Sequence, residues 1–211
     1  MDLFTVKGVP FVTVNSMAMQ DDGCFLCAAA KDKLAKVSKE LDCLRNKEAC
    51  EVDYDFGSEA YGQPVLLQHF PLFRRSDAHC DEEDGAPPGE KEAVFREDWD
   101  CVSRESSRHL LEVVQPRLVL SGHTHHGCRT EHRCRKTGQT VPEWSVSSFS
   151  WRNRNNPAFL LASISHTDYA ISKCFLPRES TVITIYFMAA FAYLGLLIKA
   201  KWPRGGGRAC R

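Results

Sequence analysis

Residues Val119–Cys128 read VLSGHTHHGC, and the fold follows from how that stretch is parsed. Leu118-Val119-Leu120 is a short apolar run of strand character. It breaks at Gly122, and His123 and His125 follow one residue apart. In an extended segment, side chains two apart point the same way, and neutral imidazole is the commonest protein metal ligand. The spacing therefore predicts that both rings face a metal centre. A polar, solvated loop is the alternative reading of the same pair. Context favours the metal, because ligands of α/β proteins gather at the carboxyl ends of strands. A second segment has the same form: Val65-Leu66-Leu67-Gln68 runs into His69-Phe70-Pro71-Leu72, where the proline has no N–H to give a ladder and ends the strand.

Outward from these two strands the pattern is α/β. Val9 to Val14 reads as a buried strand entered through Lys7-Gly8. Leu34, Val37, Leu41 and Leu44 recur at helical spacing, predicting an amphipathic helix over Ala30–Arg45 with a lysine-rich solvated face. Ser103 to Val114 forms a second helix, with Ser103 as N-cap, Glu105 in its first turn and Pro116 as its stop. After the histidine loop, Glu143–Val146, Ala158–Ser165 and Tyr169–Phe175 read as antiparallel strands that close the sheet. His79 and His132 read as exposed loop residues.

The 211 residues carry 27 basic and 27 acidic side chains, so no net field draws the chain to nucleic acid. Charge is uneven locally. Residues 77–93, beginning DAHCDEEDGAPPGEKE, mix acid with Gly and Pro and lack apolar periodicity, which predicts a mobile surface loop or, functionally, a gate over a substrate site. Ten cysteines are many for a reducing compartment and suit disulfides in a lumenal one. Cys24, Cys27, Cys43 and Cys50 lack the closing C-x2-C of a zinc ribbon and read as a disulfide-stapled helical insertion.

Thr181–Ala200, TVITIYFMAAFAYLGLLIKA, contains one charge, Lys199. A buried core helix is one reading. A transmembrane span fits better, since the segment is apolar all round and is followed by Lys201, Trp202, Arg204, Arg208 and Arg211. The basic residues 201–211 then form a cytoplasmic tail, and residues 1–175 lie across the membrane in the lumen. Met1–Met19 has neither the basic nor the apolar region of a signal peptide. That combination predicts a further amino-terminal part with its own insertion signal.

Two apolar strands ending in histidine, one lone and one Gly-His-x-His, resemble the late motifs of the calcineurin-like metallophosphoesterase superfamily. The resemblance implies a partial metallophosphoesterase β-sandwich with flanking helices. It implies two divalent metal ions, by family habit manganese, with His69 and His123 on one ion and His125 on the other; His126 matches no ligand position. Of the superfamily's early motifs, Gly-Asp-x-x-Asp and Gly-Asn-His-Asp/Glu are not in the sequence and no Asp-x-His precedes the lone-histidine strand, the triplet Asp77-Ala78-His79 coming after it; Asp21-Asp22-Gly23 and Gly57-Ser58-Glu59 are acidic loops without the needed histidine or asparagine. The chain thus reads as the carboxyl half of a two-metal hydrolase, inactive alone. Gln63–Asp77, Gln115–His125 and Ser147–Pro157 further resemble the branch of the superfamily that remodels GPI anchors. That likeness implies removal of ethanolamine-phosphate from the second mannose, GPI-anchored proteins and cargo-sorting receptors as partners, and residence in the ER–Golgi intermediate compartment or cis-Golgi membrane.

Trp151-Arg-Asn-Arg-Asn-Asn156 offers Arg152 and Arg154 for bidentate phosphate contacts and Trp151 for stacking on sugar. An asparagine-rich loop packed by one tryptophan is the structural alternative. Three functions remain open at this point: a metal-dependent phosphodiesterase, a catalytically dead membrane-anchored form that binds GPI-anchored cargo, and a purely structural tail-anchored protein.

Overall fold

The structure, a computed structural model, describes residues 1–20, 24–46 and 62–201. The acidic loops at 21–23 and 57–59, Cys50 and the basic tail beyond Lys201 lie outside the described residues.

A six-stranded sheet organises the globular part. Its strands are β1 (Asp2–Val6), β2 (Val9–Val14), β3 (Val65–Gln68), β4 (Leu118–Ser121), β5 (Cys128–Arg133) and β6 (Thr140–Ser145), in the spatial order β1-β2-β3-β4-β6-β5. The four inner strands β2, β3, β4 and β6 are mutually parallel, and both edge strands pair antiparallel. Parallel strands covered on both faces read as nearly continuous apolar runs, which is why β3 and β4 are VLLQ and LVLS. Alternation survives inside those runs. Leu66 and Val119 point into one core with Val12 and Val14, against Leu34, Val37 and Leu41 of α1 (Phe25–Arg45) and Leu110, Leu111 and Val114 of α3 (Arg104–Val114). Val65, Leu67, Leu118 and Leu120 point the other way. There they meet Ile164, Tyr169 and Ile171 of a separate two-stranded sheet, β7 (Ala158–Ile164) and β8 (Tyr169–Phe175). The layers are helix, sheet and small sheet, an α/β arrangement with one large and one minor sheet.

Strands β1 and β5 add to the expected elements although neither shows a clean apolar alternation; each is an edge hairpin arm, so one face can be polar. Two expectations need correction. The later strands do not close the main sheet. β6 inserts between β4 and β5, parallel to β4, while β7 and β8 pair only with each other among the described strands. Helix α1 begins at Phe25 rather than Ala30, because Cys24 is its N-cap: the sulfur accepts from the Cys27 amide, and the two cysteines are disulfide-bonded. The 77–93 segment lies largely exposed, as a surface loop should, and is anchored at several points. Asp77, Cys80, Asp84 and Ala86 are buried. Asp77 pairs with the buried Arg74 at 2.8 Å, Cys80 is bridged to Cys128, and Asp84 meets Lys173 of β8, which also holds Glu82 at 2.8 Å. Polar anchors replace the apolar ones that periodicity detects. Pro88–Lys91 within it forms a one-turn helix, α2.

Ser103 caps α3 as expected, accepting from the Ser106 amide, and the helix ends at Val114 with Gln115 left-handed. The last element, α4 (Glu179–Lys201), is 23 residues long with no buried side chain. At 1.5 Å per residue it reaches about 35 Å, enough for a hydrocarbon core of about 30 Å. Among the described residues it is the one helix long and apolar enough to cross a membrane.

Candidate metal centre

Parallel pairing of β3 with β4 brings their carboxyl ends side by side, with Leu66 opposite Val119 and Leu67 opposite Leu120. The first bond beyond the ladder runs from the Gly122 amide to the His69 carbonyl at 2.9 Å. His69 and His123, 54 positions apart, consequently meet: His69 Nε2 lies 3.2 Å from His123 Nδ1. Two imidazole nitrogens each about 2.1 Å from a shared ion, at tetrahedral or octahedral angles, stand about 3.0–3.4 Å apart. The pair is hydrogen-bonded, and its separation is also the one that a shared metal ion would require.

The tautomer also suits a ligand. His123 Nε2 is 2.8 Å from the Trp99 carbonyl, which only accepts, so Nε2 carries the proton and Nδ1 presents its lone pair toward His69. A ligating histidine whose second nitrogen donates to a carbonyl is the usual outer-shell arrangement. Partial burial, reinforced by the neighbouring His123 and His125, pushes the His69 pKa below the usual imidazole value and favours the neutral form that binds metal. The Phe70 ring supports the His123 ring at 4.0 Å between centroids.

The loop itself is not extended. The Thr124 amide bonds the Gly122 carbonyl at 2.9 Å, closing a three-residue turn with His123 at φ 72° in its centre, and His125 is left-handed too at φ 61°. A classic γ-turn and a left-handed non-glycine residue each store of order 1 kcal/mol. The side-by-side orientation inferred from extended geometry is replaced by two turned-out residues. Gly122 needs no such conformation; a Cβ there would meet only ordinary contacts, the nearest at 3.8 Å.

His69, His123 and His125 line one cleft of about 460 Å³, together with Ser147 and Ser148 and with Phe149, Phe159 and Leu160 as apolar wall. Ser147 is buried, and its hydroxyl has no hydrogen-bond partner. A buried hydroxyl without a partner is costly unless a ligand satisfies it. Larger grooves of about 690 and 560 Å³ flank α3 and share no lining residue with this cleft.

The nitrogens of the three histidines do not form a single tight cluster. Among the described residues, the group whose ligand atoms fall within 4.8 Å of one another is His79, Cys80 and Cys128, and the Cys80–Cys128 bridge withdraws both thiolates from coordination. His79 is exposed and 3.2 Å from Thr130 Oγ1. His132 departs from its expected place in an exposed loop: it sits on β5, mostly buried, 2.7 Å from the fully buried Glu143 carboxylate. His126 accepts from Arg154 Nη1 at 2.6 Å and faces Glu90 at 3.3 Å. Burial and Arg154 lower its pKa against the opposing pull of Glu90 and Asp77.

Arg154 is thus a brace for the histidine loop, reaching also the His125 carbonyl at 3.3 Å. Arg152 is exposed. The Trp151 indole donates to the Pro177 carbonyl at 3.0 Å, beside the start of α4.

Supporting residues that periodicity does not mark are Trp99, Glu143 and the group Arg74, Ser121 and Ser145. Glu143 accepts the Leu72 amide at 3.0 Å, fixing the chain that leaves His69. Arg74 donates to Ser145 Oγ at 2.8 Å, and Ser145 meets Ser121 at 3.0 Å, one residue before Gly122. Glu143 has a legible signal, a lone charge at an inward position of a strand; Trp99 has none.

No family model matches the chain. It is 50% identical over 202 residues to "Metallophosphoesterase 1" of Macaca fascicularis, covering 92% of this chain and 50% of that protein. It is 48% identical over 206 residues to the Rattus norvegicus protein of the same name, covering 96% and 50%. It is 49% identical over 203 residues to that of Gallus gallus, covering 94% and 49%. The chain spans about half the length of the curated relatives it matches.

Proposed function

We propose that this chain, a relative of the metallophosphoesterase 1 proteins, carries the histidine share of a two-ion phosphodiesterase centre. On this reading His69 and His123 hold one divalent ion and His125 a second, manganese being the metal the family resemblance favours. When bound, such a pair clamps the attacking and leaving oxygens of a phosphodiester. The chain's own residues do the rest. His123 gives its Nε2–H to Trp99 and keeps Nδ1 for the metal. Ser147 donates its hydroxyl to a phosphate oxygen, and Phe149 and Phe159 exclude water from one side. The substrate class proposed is the ethanolamine-phosphate branch on the second mannose of a GPI anchor, met in the ER–Golgi intermediate compartment or cis-Golgi with the globular part lumenal. The support for that finer assignment is the sequence likeness of Gln63–Asp77, Gln115–His125 and Ser147–Pro157, together with a carboxyl-terminal helix fit to span a membrane.

The observation that carries the reading is the 3.2 Å approach of His69 Nε2 to His123 Nδ1 with the His123 tautomer set by Trp99. A second reading has its own support: Gly-Asp-x-x-Asp and Gly-Asn-His-Asp/Glu are absent from the sequence, no Asp-x-His stands ahead of the His69 strand, and three histidines without a bridging carboxylate hold an ion pair poorly. In that case the chain is a catalytically silent membrane protein that binds GPI-anchored cargo or its sorting receptors. Metal analysis and turnover of bis(p-nitrophenyl) phosphate separate the two. Two bound ions with turnover support the enzyme, one bound ion without turnover supports the silent binder, and no bound manganese or zinc defeats the metal centre in both.

A further inference from the structure

One loop joins the histidine cleft to the mouth of the apolar helix. At its cleft end, the Ser148 amide bonds the His125 carbonyl at 3.3 Å, and Arg154 holds that same carbonyl and the His126 ring. At its other end, Trp151 donates to the Pro177 carbonyl, the Glu179 amide bonds the Asn155 carbonyl at 3.1 Å, and the Leu176 amide bonds the Pro157 carbonyl at 2.8 Å. Glu179 is the first residue of α4. A few hydrogen bonds therefore separate the metal loop from the helix, with no flexible linker between them.

The same loop exposes apolar area. Phe149 is 63% and Trp151 40% exposed, and Phe149 packs edge-on against Phe159 in the cleft wall. Leu161 and Phe175 are exposed on the β7–β8 hairpin that feeds α4. Tryptophan at the end of an apolar span is the signature of a membrane–water interface, where its ring sits among lipid headgroups. Large exposed aromatics on a globular surface call for a partner. Continuity with α4 names it.

We propose that the 149–157 loop seats in the headgroup layer of the bilayer that α4 crosses, so that the histidine cleft opens at the membrane surface and takes phosphate esters borne by membrane-embedded molecules. This rests on α4 being a span and on the phosphoester reading of the cleft. Trp151 is the seat, and Arg154 and Asn155 are positioning residues that transmit helix placement to His125.

The test uses the full chain reconstituted in phosphatidylcholine vesicles, with and without phosphatidylcholine brominated near the top of its acyl chains. Trp151 emission is read as the difference between W202F and W202F/W151F chains. Bromine should quench that component about twofold, as for an interfacial indole, while a W99F/W202F chain shows the same Trp151 loss. Equal emission in both lipids, from chains that float with the vesicles and resist alkaline extraction, overturns the seat and leaves the span standing. Chains that fail to float defeat the span and the seat together. The phosphoester reading is checked separately: quenching that persists unchanged in H69A and H123A chains upholds the seat whatever their phosphodiesterase activity.

Discussion

The two loops that meet beneath the histidines are built in opposite ways. Residues 122–127 are short, turned by two left-handed histidines and braced from outside by Arg154 and Trp99. Residues 77–93 are long and acidic, yet are pinned by Arg74–Asp77, Cys80–Cys128 and the Asp84–Lys173 pair. They touch at Gly127, whose amide bonds the Asp84 carbonyl at 2.7 Å and where a Cβ would collide with the Asp84 carboxylate. One loop carries the strained backbone; the other lies against it as a bed pinned by ion pairs and a disulfide.

That division of labour can be broken from the bed side first. Arg74→Met leaves the buried Asp77 carboxylate without its partner and is expected to cost about 3–5 kcal/mol, measured as the shift in denaturant midpoint of the detergent-solubilised chain. Removing the disulfide with C80S/C128S reopens a link 48 residues apart in sequence and is expected to cost about 3 kcal/mol; an unchanged midpoint would show that the bed stands without it. Cys101, buried with its sulfur 4.0 Å from the Arg74 carbonyl, reports whether the corner around Arg74 excludes solvent. Burial raises its thiol to about 11, so at neutral pH the thiolate that reacts with iodoacetamide is scarce, and alkylation should be about a hundredfold slower than for an exposed cysteine. Alkylation should accelerate only as pH climbs toward that value. Ready labelling at neutral pH would mean that the corner around Arg74 opens.

From the other side, His125→Gly removes an exposed ring and relieves a left-handed backbone. The metal-free chain should gain up to about 1 kcal/mol while its second ion is lost. A stability loss would place the strain elsewhere.

The meeting of His69 and His123 was legible because parallel apolar strands carry both histidines at their carboxyl ends, and pairing does the rest. The turn between them was not legible, since Gly122, the residue that invites a special conformation, does not use one, and the histidines do. Helix α3 was readable to its cap because Ser103 and Pro116 are local signals. The acidic segment was legible as surface from its charge and proline, but its anchors were not: Asp77 finds Arg74 three positions back, whereas Asp84 finds Lys173, 89 positions on. Strand β5 was hidden by CRTEHR, whose inward residues include Thr130 and the mostly buried His132 matched to Glu143 rather than an apolar row. Local propensity reports on neighbours; these pairs are tertiary.

The central claim is that His123 offers Nδ1 and His69 offers Nε2 to one ion. Nitrogen NMR of isotope-labelled histidines in the reconstituted chain, titrated with zinc as a diamagnetic probe, tests it atom by atom. The account predicts an Nε2–H tautomer for His123 before metal, followed by stoichiometric shifts at His123 Nδ1 and His69 Nε2 that vanish in H69A. An Nδ1–H tautomer, or zinc shifts that leave those two nitrogens unmoved, would contradict it.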